Sequence, residues 1–160
     1  MRASFTNLQF LWLTVIISCT IVSCKQKTAP IGTTDRDFIE TYLDTKVMEP
    51  SYGGRIFSSY KVFLEEGDKI YVWAFMQEKY KKDGSMLPGS GWSVPLVLNI
   101  GNVSGNKTVI SHTAPRDGEL FSKDIETLFP EKIRNEVLNF TGSEEMQKLE
   151  EKSRLRSKNF

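Results

Sequence analysis

The chain is expected to fold as an α+β domain in which an N-terminal helix packs on a four-stranded, mainly antiparallel sheet and short helices follow at the C-terminal end. Three observations predict this. Apolar residues recur at helical spacing before residue 50, at period two between residues 55 and 113, and at helical spacing again from Ser122 onward. The 160 residues then divide into a leader (1–23), a polar connection (24–34), one domain (35–141) and a charged tail (142–160).

The leader is not part of the fold. Arg2 supplies a short basic start, Phe10 to Ile17 an apolar stretch, and Ser23 a small residue before Cys24, which together make an export signal. A spanning helix needs about 20 predominantly apolar residues. Leu8 to Val22 is shorter and is interrupted by Thr14, Ser18, Cys19 and Thr20. Residues 25–34 are polar, contain Pro30 and Gly32 and lack periodicity, the composition of a flexible tether. Ten such residues reach at most roughly 33 Å.

Phe38, Ile39, Tyr42, Leu43 and Val47 form the apolar stripe of a helix from about Asp35 to Lys46, with Thr34 as its cap and Pro50 as its stop. Arg36, Glu40 and Asp44 fall on its polar face. From Arg55 the alternation Tyr60, Val62, Leu64 against Lys61 and Phe63 reads as a strand. The turn Glu65 to Asp68 leads to a second strand over Lys69 to Tyr80. Residues 81–91 read as a loop, Trp92 to Ile100 as a third strand and Lys107 to Thr113 as a fourth, joined by the turn Gly101 to Asn106. Pro95 cannot donate to a ladder, so it is expected at an edge or at its strand's beginning.

The second strand is apolar on both faces. Ile70, Val72, Ala74 and Met76 point one way, Tyr71, Trp73 and Phe75 the other. The aliphatic set suits the first helix. The aromatic set needs a second cover, from the C-terminal helices or from a ligand. Those helices are expected at Ser122 to Phe129 and, opened by Pro130, at Glu131 to Phe140. Glu144 to Phe160 offers only Met146, Leu149 and Leu155 on a thin stripe and is expected to be a solvated helix or frayed tail whose removal changes stability little.

Composition excludes several functions. Cleavage before Cys24 removes Arg2 alone from the 21 basic residues and none of the 20 acidic ones, so the mature chain is neutral. Phosphate backbones demand clustered, uncompensated Lys and Arg, which argues against nucleic acid as a partner. With Cys24 modified and Cys19 removed, no thiol remains for a disulfide, metal or nucleophilic role. His112 is the sole histidine, so a zinc site of ordinary composition is not expected. No phosphate loop, dinucleotide fingerprint, calcium loop or nucleophile elbow occurs, and no cofactor is expected.

Ser111-His112-Thr113-Ala114-Pro115-Arg116-Asp117-Gly118 ends the fourth strand in a turn, with His112 on the face of Ile110 by period two. An imidazole beside Asp117 could do acid–base work, yet no nucleophile accompanies it, and no catalytic residue is assigned. Ligand or partner contacts are expected instead from Tyr71, Trp73, Phe75, Trp92, His112 and Arg116.

Ile21-Val22-Ser23-Cys24 resembles the lipobox of bacterial lipoproteins, with Ile16-Ile17-Ser18-Cys19 as a weaker second match and an ordinary secretory cleavage near Ser23 as the rival reading. Ser93-Val94-Pro95-Leu96-Val97-Leu98, Pro115-Arg116-Asp117-Gly118 and Leu128-Phe129-Pro130 also resemble a pattern of small bacterial lipoproteins of uncharacterised function. This resemblance implies thioether-linked acyl chains on Cys24, palmitate among them, anchoring the chain in a membrane of the cell envelope with its domain toward periplasm or exterior. Two or three chains are needed, because a single one anchors only marginally at about 0.8 kcal/mol per methylene. Lys25 differs from the aspartate that retains some lipoproteins at the inner membrane. The sheet and helix together resemble cystatin-like or NTF2-like folds, an analogy that carries no function. Three functions follow: a lipoprotein binding an envelope protein or small ligand, a hydrolase-type enzyme using His112 and Asp117, and a regulator or inhibitor of another envelope protein.

Overall fold

A computed structural model describes residues 37–159, so the signal segment, Cys24 and the tether lie outside the described residues. The chain is α+β, with a four-stranded antiparallel meander in the order β1-β2-β3-β4. Its strands are β1 (Arg55–Glu66), β2 (Lys69–Lys82), β3 (Ser85–Val103) and β4 (Asn106–Thr113). Before them comes α1 (Asp37–Tyr42), which widens into a π turn at Leu43–Val47. After them come α2 (Phe121–Leu128), α3 (Glu131–Leu138) and α4 (Glu144–Arg156).

The two-faced apolar pattern of β2 organises two cores. Ile70, Val72, Ala74 and Met76 pack with Ile39 and Leu43 of the first helical segment. Tyr71 and Trp73 pack on the opposite face against Ile125, Phe129, Ile133, Val137 and Phe140. The C-terminal helices therefore cover the aromatic side, as the bulk of those rings requires.

Three strand features depart from the simple alternation. The expected loop at residues 81–91 is instead a hairpin continuing β2 into β3, turned by Asp83 and Gly84, both at positive φ. Asp-Gly is the favoured two-residue turn for this geometry, and Pro88, Gly89 and Gly91 disguise it as a loop. Phe63 is an extra residue in β1, between the pairs Val62↔Val72 and Leu64↔Tyr71, so Phe63 and Leu64 both join the aromatic core. Ile110 is likewise extra in β4, between Ile100↔Val109 and Asn99↔Ser111. That bulge reverses the alternation: Val109 and His112 turn toward α1, while Ile110 is 60% exposed. His112 and Ile110 do not share an environment, contrary to period two.

Pro95 lies well inside β3 and is fully buried. It is tolerated there because β4 pairs with β3 only from Val97 onward, leaving β3 without a neighbour on that side at Pro95.

The C-terminal segment is not a frayed tail. Ser143 caps α4 by accepting from the Met146 N–H, and Met146 and Leu149 are buried in the aromatic core. Ser59 Oγ donates to the Leu149 carbonyl at 2.6 Å and Ser153 Oγ to the Phe57 carbonyl at 2.7 Å, both in buried surroundings. Low average apolarity conceals this docking, because two small hydroxyls carry much of the contact.

Candidate functional site

The six residues expected to bind a ligand or partner do not converge. Tyr71 and Trp73 are 6% and 4% exposed, and Phe75 packs beside them beneath the C-terminal helices. Trp73 Nε1 donates to Ser93 Oγ at 2.8 Å, which satisfies its one polar atom inside the protein. These three rings are core, not an open groove. Trp92 is half-buried on the other face, against the aliphatic core. Arg116 is tied to Asp124 of α2 through its backbone N–H and two guanidinium hydrogen bonds at 2.7–2.9 Å. Hydrogen bonds from Arg116 hold the Asp124 carboxyl well below the usual carboxylate range. The pair ties the turn after β4 to the start of α2.

His112 finds Tyr42 rather than Asp117. The Tyr42 hydroxyl lies 2.9 Å from His112 Nδ1, with the rings edge to face at 5.7 Å. Burial lowers the imidazole's affinity for a proton and raises the pKa of the phenol, so both are neutral near pH 7. Among the described residues no hydrogen bond or ion pair joins His112 to Asp117. The pairing expected of a hydrolase is therefore replaced by one that joins β4 to α1.

A residue the sequence reading passed over is Glu78, which is fully buried although charged. It continues the inward series Ile70, Val72, Ala74, Met76, and a carboxylate at the next inward position was the signal available. Its oxygens accept from the N–H groups of Ser51, Tyr52 and Gly54 at 2.9 Å, and from the Ser90 N–H and hydroxyl. Burial alone would raise this carboxyl, but the donors from Gly54, Tyr52 and Ser90 outweigh it and hold the group down to about 2. It stays ionised at neutral pH and cannot act there as a general acid. Gly89 is needed beside it, since a Cβ there would stand 2.5 Å from Glu78 Oε2. Glu78 thus clamps the connection between the π turn and β1 onto a bulge at Gly89 and Ser90.

Among the described residues, one open concavity lies between the first helical segment and β4. It encloses about 650 Å³, with Phe38, Tyr42 and Val109 as apolar surface and Thr41, Thr45 and Thr108 as hydroxyl-bearing walls. Lys46 and Ile110 complete the lining, and among the described residues no carboxylate belongs to it. Widening of the helix into a π turn, with Thr45 Oγ1 returning to the Thr41 carbonyl at 2.6 Å, shapes the wall that carries these threonines. Sequence reading assigned this helix face no role. The spacing Thr41, Thr45 was a one-turn stripe of the kind that marks a shared face, but threonine carried no chemistry to single it out.

Among the described residues, no group of His, Cys, Asp and Glu is arranged to hold a metal ion, and no helix is long and apolar enough to cross a membrane. No family model matches the chain, and neither a curated protein nor a solved structure matches it.

Proposed function

We propose that the protein is a lipoprotein of the bacterial cell envelope, held to a membrane by acyl chains on Cys24, whose domain binds a partner at the groove between α1 and β4. The anchor rests on Ile21-Val22-Ser23-Cys24 and the polar tether behind it. The observation that carries the binding reading is the groove itself: apolar floor, hydroxyl walls and one cation, open to solvent beside a sheet edge. Such a mixture of apolar area with a few placed polar groups is what a recognition surface requires.

The anchor is tested by labelling cells with radioactive palmitate. The parent and Cys19→Ser should take up label and Cys24→Ser should not. Label that persists in Cys24→Ser, or disappears in Cys19→Ser, contradicts the assignment. The groove is tested by a photo-reactive amino acid placed in cells at Ile110 or at exposed Glu126 on α2. Cross-links confined to Ile110 agree with the reading; cross-links confined to Glu126 contradict it.

A further inference from the structure

The two outer strands of the meander meet solvent differently. On β1, the Ser58 N–H donates to Asp44 Oδ1 at 2.7 Å and the Ser58 carbonyl accepts from Arg156, so side chains occupy the outward backbone groups at the middle of this edge, at Ser58. On β4, among the described residues, no side chain or further strand takes the backbone groups that do not face β3. Unpaired N–H and C=O groups in a row are a template for another strand.

We propose that β4 receives an extended segment of a partner protein as a fifth strand, with carboxylates of that segment against Lys46 and Lys107 and apolar side chains in the groove lined by Phe38, Tyr42 and Val109. The inference rests on the partner-binding reading above and names the partner's chemistry. Charge selects this occupant. Lys46 lines the groove and Lys107 stands in β4 two residues before Val109, on the same strand face, and neither cation has an ion pair among the described residues. The chain's own tether is a poor fit, because residues 25–36 contain Lys25, Lys27 and Arg36 against one carboxylate, Asp35. A second copy presenting β4 would bring like charges together. Lys107 stops the edge from pairing with itself and does not oppose a strand of opposite charge, whereas the bulge at Ile110 interrupts pairing with any strand. The bulge also limits the new ladder to a short run, with Asn106–Val109 as its main contact. Main-chain hydrogen bonds then supply affinity and the groove supplies selectivity.

The test uses the full chain and a synthetic nine-residue peptide with glutamate and valine alternating on one face and threonine filling the other. Its lysine-for-glutamate counterpart is the control. Binding is followed by fluorescence anisotropy, and amide exchange by NMR locates the contact. The acidic peptide should bind the parent and slow exchange in β4. The double variant Lys46→Glu with Lys107→Glu should bind it about tenfold more weakly, as two opposed charge pairs are lost, and should prefer the lysine peptide instead. Equal binding of the two peptides, no binding at millimolar concentration, or protection elsewhere overturns the proposal. So does slow exchange of all β4 amides in the free chain: independent of concentration it assigns the edge to the chain's own N-terminal segment, and growing with concentration it assigns the edge to a second copy. Failure of palmitate labelling at Cys24 would remove the anchor and leave these peptide results standing, whereas failure here leaves the anchored binding module intact.

Discussion

The edges of the sheet, β1 and β4, start from the same difficulty and resolve it oppositely. β1 is enclosed by segments from both ends of the described chain: Asp44 from the π turn and Arg156 from the end of α4 meet at 2.8 Å beside Ser58. Arg156 also reaches Glu40 at 3.3 Å, and Lys152 pairs with Glu40 at 2.8 Å. Because α1 and α4 lie on opposite faces of the sheet, these pairs wrap the edge of β1 like a clasp. Among the described residues, β4 has α1 beside it, through Tyr42 and His112, and its outer side is open. The difference teaches that edge protection here comes from ion pairs between the first helical segment and α4, and that β4, which this clasp does not reach, keeps its outer backbone groups open among the described residues.

The harshest way to break the comparison is to delete residues 144–160. Met146 and Leu149 would lose their burial, at about 1.5–3 kcal/mol each, and the clasp on β1 would go with them. Together that is about 3–6 kcal/mol, a large share of the about 5–15 kcal/mol by which domains are stable. The truncated chain should be largely unfolded by circular dichroism or have a much lower urea midpoint. A midpoint within experimental error of the parent would show that α4 does not seal β1.

Acid should act next, through the clamp that precedes β1. Glu78 ordinarily would titrate near 4.5 but is held at about 2 in the fold, and Asp124 is depressed as well. The unfolded chain therefore binds protons first as pH falls, so the stabilisation is complete above about pH 4.5 and is lost progressively toward pH 2. The His112 imidazole, lowered by burial, has the same sign at an earlier pH, below its ordinary 6.5. Thermal midpoints of the parent should drop steeply below pH 4.5, while Glu78→Gln should begin lower at pH 6 and change less across that window. Parallel curves would remove Glu78 from the account.

A milder break is Arg156→Ala. It leaves the nearly buried Asp44 side chain, 9% exposed, without its cation and the Ser58 carbonyl without its donor. The expected cost is about 1–3 kcal/mol in urea denaturation, together with concentration-dependent association through the newly opened β1 edge. A variant as stable and monomeric as the parent would contradict the clasp. The mildest change is Ile110→Ser on the open edge, where the exposed side chain contributes little to the fold and stability should stay within about 0.5 kcal/mol of the parent. A loss above 2 kcal/mol would mean that β4 is covered.

Much of this arrangement was legible in the chain. The two-sided apolarity of β2 announced two cores, Pro50 lay just past the π turn that continues α1, Gly67 marked the end of β1, and Pro130 separated α2 from α3. What was hidden had local causes. Single-residue bulges at Phe63 and Ile110 invert which side chains point inward, and nothing in an alternating pattern reveals where a strand takes an extra residue. α4 looked solvated because its docking uses Ser153, Arg156 and the Ser59 hydroxyl rather than a broad apolar stripe. The groove escaped notice for a different reason: it is made by two segments some 65 residues apart, Thr41 to Lys46 and Thr108 to Ile110, whose residues are individually unremarkable. Aromatic residues drew attention instead, and bulk explains why they are interior.

Amide hydrogen exchange of the full chain, resolved by NMR at individual residues of both edges, tests the contrast most directly. The Ser58 N–H, held by Asp44, should exchange as slowly as the amides paired between β2 and β3, and alternate amides of β4, those not donated to β3, should exchange orders of magnitude faster. Fast exchange at Ser58, or uniformly slow exchange along β4 in the free protein, would contradict a sealed first edge and an open last one.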